Sequence, residues 1–140
     1  MKEFSWGLIP VKVGVTADPV AGAQIANIVV PANKRWVVQS LEATCVADAT
    51  VVNRQPHLII RTDGTNTTYE TNVGASVAAS QTKRQSFIVD SLIVTVGTLS
   101  GMHIPWLELP AAAVIIFYYD NLQAGDNVIA ATYFYKEVPA

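Results

Sequence analysis

Apolar positions along this chain do not recur at helical spacing. Instead, short runs rich in β-branched and aromatic residues alternate with clusters of Gly, Pro, Asn and Asp, which is the pattern of strands and turns. Residues 23–30 (AQIANIVV) predict a strand closed by Pro31-Ala32-Asn33. Residues 35–47 (RWVVQSLEATCVA) predict a long strand, and 54–62 (RQPHLIIRT) another, in which Pro56 marks a strand start or an edge. Asp63-Gly64 is a strong turn signal. A short polar strand follows around Tyr69, then a Gly/Ala/Ser-rich stretch over 73–81 that reads as a loop or a loose turn of helix. Residues 83–96 read as one interrupted strand, 97–105 (GTLSGMHIP) as a loop, and 106–109 as a short strand cut by Pro110. Residues 113–119 (AVIIFYY) and 127–136 (NVIAATYFYK) are the last two strands, joined by the turn-rich 120–126.

That makes about eight strands at near-regular spacing, the mark of an antiparallel sandwich or barrel. Mixed loop lengths fit an all-β, antiparallel, eight-stranded jelly-roll sandwich made of two Greek keys. An up-and-down barrel is the alternative. The Cys…Trp…Cys spacing of many immunoglobulin domains is missing. Residues 1–22 break the pattern with Pro10, Gly14 and the stretch from Asp18 to Gly22. They read as an extended N-terminal arm leading into a sandwich over 23–140. The apolar arm residues Phe4, Trp6, Leu8 and Ile9 need a partner, either an edge of their own domain or a neighbouring chain.

The strand faces add more. Between Arg35 and Ala47 the apolar parity switches from Trp36 and Val38 to Leu41, Ala43 and Cys45, which a β-bulge near Ser40 would produce. In the penultimate strand Ala113, Ile115, Phe117 and Tyr119 oppose Val114, Ile116 and Tyr118. In the last, Ile129, Ala131, Tyr133 and Tyr135 oppose Val128, Ala130, Thr132 and Phe134. Both faces are apolar, yet a two-layer sandwich has one inside. The surplus face calls for cover by another subunit, the arm or a loop. The candidate interface residues are therefore Phe4, Trp6, Leu8, Ile9, Val114, Ile116, Tyr118, Tyr133 and Tyr135.

Composition sharpens this picture. The 140 residues are 51% hydrophobic and only 14% charged, against roughly 25% charged in typical domains. Net charge is −2 and the basic residues are scattered, so nucleic acid is not an expected partner. The longest apolar run, 111–119, is too short for a membrane helix. The N-terminus lacks the apolar centre of a signal peptide. A single cysteine, Cys45, excludes an internal disulfide and reads as a buried small hydrophobe. These features predict a soluble, unprocessed chain made in a reducing compartment.

No constellation for catalysis or a cofactor emerges. His57 and His103 are isolated, so a cupin-type metal set is not available. Gly74-Ala75-Ser76-Val77-Ala78 lacks the second glycine of a nucleophile elbow. Glu42 and Glu70 are carboxylates that nothing pairs across a cleft. Asp120-Asn121 and Asp126-Asn127 bracket one loop with oxygen ligands, either for Ca²⁺ or simply as turn formers. No enzyme, metal or cofactor is expected.

Residues 30–45 (VPANKRWVVQSLEATC), the turn at 59–64 (IIRTDG) and the stretch from Leu109-Pro110 through Phe117-Tyr118-Tyr119-Asp120 to Tyr133 together resemble small jelly-roll proteins that decorate the capsids of tailed bacteriophages. The resemblance covers about 23–137. It implies a homotrimer on the outer capsid surface of the virion, made in the host cytoplasm. Such a protein cements neighbouring major capsid proteins and has no catalytic residues. The competing expectation is a carbohydrate- or receptor-binding jelly-roll module of a phage tail or fibre, using Trp6, Trp36 or Trp106 as stacking platforms.

Overall fold

A computed structural model describes residues 6–71, 76–89, 94–96, 99–104 and 106–140. Phe4, one of the expected interface residues, lies outside them. The described residues contain eleven strands, one 3-10 turn at Trp6–Leu8 and no α-helix. The strands are β1 (Lys12–Val15), β2 (Ile28–Val29), β3 (Lys34–Val46), β4 (Gln55–Arg61), β5 (Tyr69–Thr71), β6 (Thr82–Val89), β7 (Val94–Val96), β8 (Leu99–Ile104), β9 (Glu108–Leu109), β10 (Val114–Asp120) and β11 (Asn127–Pro139).

They form two sheets. The larger runs β1-β11-β3-β6-β8-β7, with β9 also on β3, and the smaller runs β2-β10-β4-β5. Every pairing is antiparallel except β6 with β8. Three elements exceed the eight expected strands. β1 arises within the segment read as an arm and pairs with β11 as an edge strand. β7 stands apart from β6. β8 lies where the sequence predicts a loop: LSGMHI has no clean alternation and only Ile104 is β-branched, but pairing along β6 makes it a strand.

Turn chemistry places the strand ends. Asn33 adopts a left-handed conformation (φ 60°) in the turn entering β3, and Gly64 (φ 78°) follows Asp63 after β4. Asp63 accepts N–H bonds from Thr65 and Asn66 at 2.8 and 2.7 Å, closing that turn. Pro56 pairs with Tyr119 on one side only, because β5 meets β4 only at Leu58–Ile60. Its missing N–H therefore costs no sheet bond.

Two bulges set which side chains face inward. The partner of Tyr135 is Val38 and that of Phe134 is Ser40, so Gln39 is the extra residue in β3. Trp36 and Val38 before it, and Leu41, Ala43 and Cys45 after it, all point into the core. The second bulge lies in β11, where Ala130 and Ala131 together oppose the single β3 residue between Thr44 and Glu42. It overturns the strict alternation expected there. Val128 shares the inner face with Ala131, Tyr133 and Tyr135, whereas Ile129, Thr132 and Phe134 face out. Backbone and side chains after β1 hold this bulge. Ala130 N–H donates to Asp18 Oδ1 and Ala131 N–H to Thr16 Oγ1, both at 2.9 Å.

Between the sheets lies one continuous apolar cluster. Phe87 of the larger sheet meets Phe117 of the smaller edge-to-face at 5.2 Å. Fully burying such a ring is worth roughly 1.5–3 kcal/mol, with about 0.5–1.5 kcal/mol more from the ring pair. Tyr119 is buried beside them and its hydroxyl donates to Gln85 Oε1. Gln24 takes the place of a strand partner, bonding both the carbonyl and the N–H of Tyr119 at 2.7 and 2.9 Å.

Candidate functional surface

The most polar feature of the interior is an ion cluster at one end of the sandwich. Arg54 and Asp126 are both fully buried. The guanidinium donates Nε to Asp126 Oδ2 at 2.8 Å and Nη2 to Asp126 Oδ1 at 2.9 Å, a fork-on-fork pair. Its remaining protons go to Asp48 Oδ1 at 2.7 Å and to the carbonyls of Thr50 and Val52. Asp126 also accepts the N–H groups of Asp48 and Gln123, at 2.8 and 2.7 Å. Burial pushes the Asp126 pKa up, but Arg54 and the two N–H donors outweigh it and hold the carboxylate below its ordinary range. All four lone pairs of the Asp126 carboxylate are therefore taken. The Ca²⁺ reading of this loop fails, since Asp120 on its other side turns to His57 instead. The cluster ties the loops after β3 and β10 together and makes no contact a substrate could use. Cys45 nearby is fully buried, and burial with the Asp126 charge pushes its thiol up to about 11, an inert sulfhydryl.

Other candidates for chemistry are dispersed. Glu42 faces out from β3, where it takes Ser86 Oγ at 3.1 Å, while Glu70 lies in the opposite sheet on β5. His57 bonds Asp120 through Nε2 at 2.5 Å and stacks on Tyr118 with ring centres 4.8 Å apart. The side chain of His103 lies outside the described residues. Among the described residues no three His, Cys, Asp or Glu side chains group as a metal site. No helix among them is long and apolar enough to cross a membrane.

The interface residues expected from sequence fall into three places. Tyr133 and Tyr135 point inward onto Trp36, with ring centres 6.0 and 4.0 Å away. Trp36 Nε1 donates to Glu137 at 2.8 Å, and Lys12 joins the same carboxylate at 2.8 Å. Those two donors, with help from Lys34, hold the Glu137 pKa down. Val114, Ile116 and Tyr118 line the outer face of the smaller sheet, half-buried beside Val29, Ile59 and His57. At the third place, Trp6 donates Nε1 to Glu108 at 2.6 Å and meets Trp106 edge-on at 6.3 Å, while its carbonyl accepts Lys136 Nζ. Half-buried Ile9 and exposed Leu8 follow it.

An apolar surface not singled out by sequence lies on the outer face of the larger sheet. The registers align Val13, Phe134, Ser40 and Ile88 in one row across four strands. Val13 is 57% exposed, Phe134 39% and Ile88 42%. Val11 just before β1 and Val15 at its end extend this surface, and Ile129 extends it along β11. The neighbouring row, Val15, Thr132, Glu42 and Ser86, is closed by polar groups. The sequence carries one usable signal, the alternate Val11, Val13 and Val15 that follow Pro10. The β11 bulge hid the rest.

No protein-family model matches this chain, and no curated protein matches it in sequence.

Proposed function

We propose that this chain is a virion structural protein, a capsid decoration or cement protein that self-associates and bridges major capsid proteins on the outer shell of a tailed phage. The apolar row of Val13, Phe134 and Ile88 carries the reading. It is the kind of exposed patch that a soluble β-sandwich keeps for contact with other chains. Many such contacts on a symmetric lattice would act together by avidity. A trimer is the form that the sequence resemblance implies.

The strand order supports a jelly roll within this reading. With β7–β9 treated as an insertion, the remaining eight strands pair first with last, second with seventh, third with sixth and fourth with fifth. One long antiparallel ribbon, rolled so that β11 meets β3 and β10 meets β4, generates both sheets.

Light scattering of the purified chain, followed by co-sedimentation with shells of the phage's major capsid protein, tests the proposal. Self-association and shell binding are expected. A monomer that leaves the shells bare refutes it.

One observation favours a second reading, a carbohydrate- or receptor-binding module. Trp106 is 44% exposed beside Trp6, whereas Trp36 is buried and unable to stack on a sugar. Glycan binding that is lost in Trp106→Ala would favour this alternative.

A further inference from the structure

We propose that β1 is the self-association element, pairing antiparallel with β1 of a second copy about a two-fold axis at Val13. The inference rests on the self-association reading above, specifies the surface that carries it, and gives a two-fold pair in place of the trimer that the resemblance implies.

Among the described residues β1 is a terminal strand of its sheet, paired on one side only. A free strand edge presents unpaired N–H and C=O groups, so the occupant it fits is another strand. Natural edges repel such pairing with an outstanding lysine. Here the one charge from Trp6 to Ala17 is Lys12, and Glu137 neutralises it at 2.8 Å. The edge therefore offers backbone and valine without repulsive charge.

Charge also decides the occupant and the register. The segment Val11-Lys12-Val13-Gly14-Val15 is nearly palindromic. Pairing about Val13 sets Val11 against Val15 of the second copy, Val13 against its own equivalent, and Lys12 against Gly14, which has no side chain. Centring on Lys12 would set like charges directly opposite, which destabilises a strand pair. Centring on Gly14 would put two glycines at the axis, set Lys12 against Thr16 and leave Val11 against Ala17, so that one of the valine pairs is lost.

The edge is also held ready. Thr16 and Asp18 fasten its end to the β11 bulge, and the Lys12–Glu137 ion pair fastens its start. A pre-ordered strand loses little entropy on pairing. Residues directly opposite share a face, so the two apolar rows would join at Val13 into one stripe running from Ile88 of one copy to Ile88 of the other.

Cysteine cross-linking tests the pairing by position. Val13 and Val15 face solvent, so Val13→Cys and Val15→Cys leave the core intact, and Cys45 is buried away from oxidant. Opposed Val13 Cα atoms would lie about 4.5–5.5 Å apart, within disulfide reach. Val15 and its equivalent would be separated by about 13 Å along the strands. Val13→Cys should give a covalent dimer on oxidation and Val15→Cys none. Val13→Lys should weaken association at least tenfold with an unchanged circular dichroism spectrum. Equal cross-linking at both positions, or a wild-type oligomer untouched by Val13→Lys, overturns the pairing and leaves self-association standing. A wild-type monomer at every concentration overturns both.

Discussion

Replacing Arg54 by Met removes the guanidinium from the buried cluster while keeping most of its volume. The fork to Asp126 and the bonds to Asp48, Thr50 and Val52 disappear together. Asp126 keeps two backbone N–H donors, from Asp48 and Gln123, but loses its buried counter-charge. Breaking one side of a buried pair costs about 3–5 kcal/mol, because the remaining charge stays desolvated. For a chain of this size that is a fall of roughly 10–17 °C in Tm. The sign of the pH dependence should also change. In the wild type the Asp126 pKa lies below its unfolded value, so its contribution is present above the unfolded pKa and is lost as pH falls through the folded one. In Arg54→Met, burial is the main remaining influence and raises the Asp126 pKa above the unfolded value. The penalty is then largest at neutral pH and is relieved as acid protonates the carboxyl. Urea unfolding at pH 7 and near pH 5 reads this directly. The stability gap between wild type and variant should shrink at the lower pH. A gap under about 1 kcal/mol, typical of an exposed ion pair, or one that does not change with pH, would refute the reasoning.

Three further predictions probe other elements. A Cβ on Gly14 would overlap the Tyr133 ring, so Gly14→Ala should lower stability by about 1–3 kcal/mol in a denaturant titration, and a Tyr133→Ala background should erase most of that loss. Ala112 sits at φ 66°, a left-handed conformation that costs a residue with a Cβ roughly 1–2 kcal/mol; Ala112→Gly should therefore raise the denaturation midpoint slightly, and a fall would contradict the strain. The Cys45 thiol should react with an aromatic disulfide reagent at pH 8 only as fast as the chain opens, and immediate labelling of the native protein would show that it is not sealed in the core.

Legibility in the sequence followed the range of the interaction. The Asp63-Gly64 turn, the edge position of Pro56 and the β3 bulge were readable because each rests on neighbouring residues: a turn dipeptide, a missing N–H, a switch in apolar parity. The β11 bulge left no such trace. Alanine is at home on either face, and 130 and 131 are both Ala, so the switch is silent, and strict alternation groups Val128 with Phe134 instead of with Tyr133. β8 was hidden because LSGMHI becomes a strand only by lying along β6. The Arg54–Asp126 pair joins positions 72 residues apart; from sequence, Arg54 was one more scattered cation and Asp126 a turn former. The exposed row escaped for the same reason, since Val13, Phe134 and Ile88 meet only once register is known.

The adjacency of β1 and β11 has a consequence for how the chain acquires its shape. Lys12 pairs with Tyr135, and β3 pairs along nearly its whole length with β11. During synthesis β1 has no partner strand until residues 132–135 have been made, and β3 lacks one neighbour for as long. Contacts of such separation make folding slow, and until they form, the β11-facing side of β1 and that of β3 stand open together. The last strand thus acts as the latch of the whole sandwich. Growing chains crowded on one messenger would meet each other through those open sides before β11 could cover them, so slow elongation through 110–126 should favour aggregation over yield.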